Sequence, residues 1–173
     1  VKVIRDSRTG AEQPFIMPTT CPVCGMKVVR DDEAAVTRCV NEDCPAIIKG
    51  RILHFASKGA FDIDGLGEKL IDRMVELGLI QSSADLFGLT IEKLKDLDRM
   101  GEKSAENILR AIERCKTISF ARFLFALGIR HVGEHIARLL ADAFEDVDAL
   151  SHATADDLIA VDGIGPIVAE SIV

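Results

Sequence analysis

The sequence contains no tryptophan and no tyrosine, and only eight phenylalanines in 173 residues. A surface that stacks single-stranded bases needs exposed aromatic rings, so recognition by base stacking is disfavoured from the outset. Long apolar runs are also missing. The longest, Phe123 to Ile129, falls far short of the roughly 20 residues that a membrane-spanning helix requires. The N-terminus lacks a basic segment followed by an apolar stretch, so it does not read as a secretory signal, and Val1 is not an initiator methionine. Positive charge is scarce overall: the formal net charge is −7, awkward for a DNA-binding protein. The acidity is unevenly spread. Residues 1–58 carry 9 basic and 7 acidic side chains, and residues 59–173 carry 12 and 21. Much of the excess lies in Asp142, Glu145, Asp146, Asp148, Asp156 and Asp157, which read as a solvated face turned away from any anionic partner.

Against these absences stands a cysteine pattern. Cys21-Pro22-Val23-Cys24 and Cys39-Val40-Asn41-Glu42-Asp43-Cys44 form C-x2-C-x14-C-x4-C. Two close pairs on tight turns deliver four thiolates to the corners of a tetrahedron, with Zn–S bonds of about 2.3 Å. Gly25 supplies a permissive backbone after the first pair. Four sulfurs close the coordination sphere, so the site reads as structural Zn2+. Two disulfides, or four unrelated thiols, are the alternatives, and the lack of a secretory signal disfavours disulfides. The fifth cysteine, Cys115, reads as a buried, inert thiol.

The second pattern is a repeat. Asp64-Gly65-Leu66-Gly67 and Asp162-Gly163-Ile164-Gly165 are its clear copies; Asp98-Arg99-Met100-Gly101 and Arg130-His131-Val132-Gly133 are degenerate ones. The last glycines are 34, 32 and 32 residues apart, and four positions beyond each lies Ile71, Ala105, Ala137 or Ala169. The surrounding residues have helical periodicity, as in Leu66, Leu70, Ile71, Met74 and Leu77. Each unit is too short to bury its own apolar face, so neighbours must pack together.

Glycine–apolar–glycine between two short helices is suited to gripping phosphate. Glycine permits a sharp turn and leaves no β-carbon in the way. The helix that follows presents unpaired N–H groups and the positive end of its dipole. The middle apolar residue, Leu66 or Ile164, can turn inward as an anchor. Contacts of this kind ignore base identity. The candidate DNA-binding residues are Gly65, Gly67, Lys69, Gly101, Lys103, Arg130, His131, Gly133, Gly163 and Gly165, with Arg73 and Arg99 nearby. A plain helix–helix turn is the alternative for any single copy. Arg99 and His131 replace the first glycine in the degenerate copies, which bind through side chains or only hold the fold.

The motifs in combination resemble the bacterial NAD-dependent DNA ligases. The resemblance rests on Cys21-Pro-Val-Cys-Gly25, on Arg38-Cys39-Val-Asn-Glu-Asp-Cys44-Pro45-Ala46, and on His54-Phe55-Ala56-Ser57-Lys58-Gly59-Ala60-Phe61 leading into Asp64-Gly65-Leu66-Gly67. Gly101-Glu102-Lys103-Ser104-Ala105 and Ala126-Leu127-Gly128-Ile129-Arg130-His131-Val132-Gly133-Glu134 extend it over nearly the whole chain. Ile47 departs from the family, which more often has glutamine there.

The resemblance implies a C-terminal fragment of mainly α fold: a tandem helix-hairpin-helix domain of four motifs, preceded by a small four-cysteine zinc finger and a short extended segment. Residues 1–18 are expected to be the exit from an OB fold, residues 19–50 the zinc finger, and residues 51–173 the hairpin domain with its last helix cut short. It further implies that the parent enzyme seals nicks in replication and repair, transferring AMP from NAD to a lysine in a Lys-x-Asp-Gly motif and then to the DNA 5′-phosphate. NAD and Mg2+ belong to domains absent from this chain. The nearest string here, Asp62-Ile63-Asp64-Gly65, has Asp62 in the nucleophile's place, so no catalytic residue is expected and the fragment alone should be inactive. The implied partner is nicked double-stranded DNA, bound by a monomer in the bacterial cytoplasm near the nucleoid, without membrane. A protein-interaction scaffold and the hairpin domain of a repair nuclease are the alternatives; the latter does not explain the adjoining cysteines.

Overall fold

The computed structural model describes residues 8–30, 36–98 and 100–173. Residues 1–7 of the expected OB-fold exit, where Val1-Lys2-Val3-Ile4 has weak strand character in the sequence, and the candidate Arg99 lie outside the described residues. The chain forms two compact units, divided between Cys44 and Pro45.

The first unit has almost nothing apolar inside it. Of its described residues only Cys21 and Cys44 are buried, while Phe15, Ile16, Met17, Val23, Met26, Val29, Val36 and Val40 are exposed. Its regular structure is one antiparallel pair, β1 (Val28–Arg30) and β2 (Thr37–Cys39), with Val28 opposite Cys39 and Arg30 opposite Thr37. Ahead of it lie a turn in which Glu12 accepts from the Thr9 and Gly10 amides, and a second turn over Cys21–Gly25 closed by the bridge between Thr20 and Lys27. Two short strands without a hydrophobic face are not stable in water by themselves.

The second unit is helical. Its helices are α1 (Pro45–Ala56), α2 (Glu68–Glu76), α3 (Ile91–Lys95), α4 (Glu102–Arg114), α5 (Phe120–Ala126), α6 (Glu134–Ala143), α7 (Val147–Ser151), α8 (Ala155–Ile159) and α9 (Pro166–Ile172). A short 3-10 turn at Ala84–Gly88 precedes α3. Among the described residues, no helix is long and apolar enough to cross a membrane.

The helices bury their apolar stripes in two clusters. The first gathers Ile52 and Phe55 of α1, Ile71 and Met74 of α2, Leu94 of α3, and Ile108 and Ile112 of α4. The second gathers Leu124, Val132, Ala137, Leu140, Leu158, Ile164 and Ala169, from α5 to α9. Phe123 and Phe125 pack against both, so α5 joins one cluster to the other. Lys49 of α1 adds ion pairs to Asp72 and Glu76 of α2, at 3.2 and 3.5 Å.

Helix α1 begins earlier than the sequence suggests. Residues 45–50, grouped above with the cysteines, are its first turns, and 51–56 continue it. Pro45 occupies the first helical position, where a missing N–H costs nothing. Ile52 and Phe55 then secure α1 in the first cluster.

Candidate functional site

The four repeats fold into four copies of one corner. In each, the middle apolar residue donates its N–H to the carbonyl three residues back: Leu66 to Ile63, Met100 to Leu97, Val132 to Ile129 and Ile164 to Val161, at 3.0 to 3.3 Å. The next residue is glycine in extended conformation and starts a helix. Gly67, Gly101, Gly133 and Gly165 have φ from −79 to −92° and cap α2, α4, α6 and α9. Their carbonyls accept from Ile71, Ala105, Ala137 and Ala169 at 2.9 to 3.1 Å, and all four acceptor-facing residues are fully buried. Leu66, Val132 and Ile164 are buried beneath their corners, and Met100 is half-buried.

Capping separates the two helices of the second, third and fourth motifs. The leading helices α3, α5 and α8 are capped by the side chains of Thr90, Ser119 and Thr154, the last within a reciprocal capping box with Asp157. The following helices α2, α4, α6 and α9 carry no side-chain cap. A β-carbon added at Gly67, Gly101, Gly133 or Gly165 would meet nothing within 4 Å. The N–H groups at the first two positions of these helices (Pro166 has none) thus lack an intrahelical partner and a side-chain cap, while in α2 and α9 the third folds back onto the corner, Leu70 donating to Gly67 O and Val168 to Gly165 O at 3.0 Å.

The inner glycines have a different role. Gly65 and Gly163 both have φ +89°, a left-handed conformation that side chains disfavour. A β-carbon on Gly65 would lie 3.0 Å from Ile108 Cγ1, and on Gly163 2.8 Å from Leu139 Cδ1. His131 fills the equivalent position of the third copy and adopts the same region, with φ 66°.

All ten candidate DNA-binding residues are exposed. Lys69 and Lys103 take equivalent places, second in α2 and α4. His135 holds that place in α6 and escaped the sequence reading; alignment of the repeats on their last glycines could have found it. Glu68, Glu102 and Glu134 begin the same three helices. Two of these carboxylates have cationic partners: Glu102 meets Lys95 at 2.6 Å and Glu134 meets Arg138 at 3.7 Å. Arg73 is engaged with Glu76 within its own helix.

In the first unit, the Sγ atoms of Cys21, Cys24, Cys39 and Cys44 all lie within 4.8 Å of one another. Cys21 to Cys44 is 3.9 Å and Cys24 to Cys39 is 3.5 Å. These separations are far longer than a disulfide bond of about 2.05 Å. They bracket the edge, about 3.8 Å, of a tetrahedron with 2.3 Å Zn–S bonds. Local structure sets the ligands: Cys21 donates its N–H to Met26 O at 2.7 Å, Gly25 turns with φ 73°, and Cys44 donates to Asn41 O at 3.0 Å. The Met26 amide, with further help from Asn41, holds the Cys24 thiol down to about 6 against desolvation. The Asn41 amide also favours the Cys39 thiolate, but desolvation and the sulfurs of Cys24 and Cys21 push Cys39 up to about 12. Crowded sulfurs cannot all ionise without a cation among them. The donor set and spacing fit zinc, which would crosslink a unit with no apolar core among its described residues. Cys115 stands apart: it is buried, its Sγ donates to Ile112 O at 3.0 Å, and desolvation raises its pKa.

Uncapped glycine corners repeated on a helical unit, preceded in the sequence by a four-cysteine metal site, define a tandem helix-hairpin-helix protein with a zinc finger. Residues 20–46 match the NAD-dependent DNA ligase C4 zinc finger domain. Residues 60–114 match the SAM-like helix-hairpin-helix tandem, and 122–173 the helix-hairpin-helix motif, nearly coextensive with the two apolar clusters. Over 173 residues the chain is 58% identical to the DNA ligase of Desulfosudis oleivorans, covering 99% of this chain and 25% of that protein. It is 52% identical to the DNA ligase of Desulforapulum autotrophicum and 48% to that of Geobacter sulfurreducens, in each case over 100% of this chain and 25% and 26% of those proteins. The chain belongs to the NAD-dependent DNA ligase family and spans about a quarter of the length of these curated relatives.

Proposed function

We propose that this chain is the duplex-gripping part of an NAD-dependent DNA ligase, holding DNA beside a nick without reading its sequence. The parent enzyme joins the nick in replication and repair, using NAD and Mg2+ through domains outside this chain, as a monomer in the bacterial cytoplasm at the nucleoid. The chain itself contributes binding and no catalytic group.

The observation that carries this reading is the contrast in capping. Leading helices are closed by Thr90, Ser119 and Thr154, whereas the helices after the corners keep their amides open at Gly67, Gly101 and Gly133. Serine, threonine and aspartate stabilise a helix start. Glycine at these open positions leaves the amides to an external acceptor, and a phosphate oxygen is the acceptor that DNA offers in quantity. Lys69, Lys103 and His135 flank the corners and add ionic reach.

The test is the triple variant Gly67→Asp, Gly101→Asp, Gly133→Asp. Aspartate can cap each helix and places a negative charge where a phosphate would sit. The variant should melt no lower than the parent chain and lose most of its affinity for a labelled nicked duplex. Unchanged affinity in the folded variant overturns the reading.

A further inference from the structure

Three concavities follow one another across the helical unit between the first and third corners. The first, about 630 Å3, is lined by Asp64, Gly65, Asn107, Arg110, Glu113 and Arg114. The second, about 310 Å3, shares Asp64 and Arg114 with it and reaches Asp62 and Arg122. The third, about 470 Å3, shares Arg122 and ends on Lys58, Arg138 and Glu134, the residue that follows Gly133. Shared lining residues set the three next to one another as a segmented groove. Gly65 lies at one end of it and the start of α6 at the other.

Three of its five cations are oriented by the protein. Arg122 donates through Nη2 to the Lys58 carbonyl at 3.0 Å, across 64 residues of sequence. Arg110 donates to Asn107 Oδ1 at 2.7 Å, and Arg138 to Glu134 O at 3.2 Å. The carboxylates in the groove are Asp62, Asp64, Glu113 and Glu134. Glu113 is engaged by Lys116 and Glu134 by Arg138. Lys58, Arg114 and Arg122 form no ion pair among the described residues.

We propose that this groove seats the phosphates of one DNA strand as it passes from the first corner to the third, with Lys58, Arg114 and Arg122 as the principal contacts. The proposal rests on the duplex-binding reading and extends it to residues outside every corner. A guanidinium already fixed through one N–H keeps its remaining donors for phosphate and loses little freedom on binding. The groove also offers an answer to the charge problem: the chain is acidic overall, but along this path Lys58, Arg110, Arg114, Arg122 and Arg138 outnumber Asp62, Asp64, Glu113 and Glu134.

The test is a titration of the zinc-loaded 173-residue chain with a labelled nicked duplex between 50 and 200 mM salt. Lys58→Gln, Arg114→Gln and Arg122→Gln together should weaken binding and make the plot of log affinity against log salt less steep by about 2 to 3, at about 0.9 per lost phosphate contact. If loss of the Arg122 tie to Lys58 lowers the melting temperature, the Lys58→Gln, Arg114→Gln pair decides the matter, with an expected change of about 2. Either folded variant with the parent's affinity and slope, alongside a corner variant that loses binding, overturns the groove and leaves the corner reading intact. No binding by the unaltered chain at any salt overturns both.

Discussion

Gly65 is pressed against Ile108, whereas Gly67, two residues on, faces open solvent. A β-carbon on Gly65 would come within 3.0 Å of Ile108 Cγ1 and would have to tolerate φ +89°; one on Gly67 would meet nothing within 4 Å. The two glycines of one corner therefore serve different ends, the inner one the fold and the outer one access to the helix amides. Gly65→Ala should cost about 1–2 kcal/mol for the left-handed backbone alone, with more for displacing Ile108. Gly67→Ser should gain a few tenths of a kcal/mol by capping α2. Urea melts of the two variants check the pair. Equal destabilisation would show that the outer glycine is structural as well.

The third corner tests the same idea from the other side. His131 holds φ 66° where the first and fourth corners have glycine. Histidine tolerates this region better than most residues, and a β-branched residue there is a true outlier. His131→Val should destabilise by about 1–2 kcal/mol, whereas His131→Gly should be neutral or gain up to about 1 kcal/mol. If His131 also donates to phosphate, His131→Gly should weaken duplex binding with no loss of melting temperature.

How much of this was legible in the sequence depended on how local the cause was. The corners were readable because each needs glycine at a fixed step and a small or apolar residue four positions later. Ile71, Ala105, Ala137 and Ala169 are all fully buried. The metal site was readable because two turns of two and four intervening residues suffice to gather the sulfurs. The start of α1 was missed although Pro45 marked it, since Cys44 drew its neighbours into the cysteine-rich segment and Gly50 lowered the helical signal. The groove could not be read at all. It joins Lys58 to Arg122 and Arg138 through tertiary packing, and nothing in the local pattern at Arg114 or Arg122 separates it from a solvated helix face.

Removal of zinc should affect the two units unequally. The first unit buries only Cys21 and Cys44 among its described residues, while the apolar clusters of the second involve none of the four ligands. Metal binding energy in such a unit is folding energy. A chelator, or Cys39→Ser, should broaden the amide resonances of residues 19–44 and leave the helical circular dichroism nearly unchanged. Loss of most helicity would contradict the independence of the two units.

Acid should loosen the turn that leads into α3, and the sign follows from Asp85. Its carboxylate accepts from the Gln81 and Ser82 amides, each at 2.8 Å, and from the Ser82 hydroxyl at 3.0 Å. These bonds, the Gln81 amide first, hold its pKa below the usual aspartate value. A depressed folded pKa means that the stabilisation is complete above the unfolded value, about 3.9, and is lost as pH falls through the lower folded value. Asp85→Asn should remove this contribution at neutral pH, so the melting temperatures of variant and parent should differ at pH 7 and converge as the pH falls through the lowered folded value. Amide exchange at Gln81 and Ser82 gives the local readout: protection should fall in the parent on acidification and should already be low in the variant at pH 7. A difference that persisted undiminished into strong acid would show that the Asp85 carboxylate does not hold this turn by its charge.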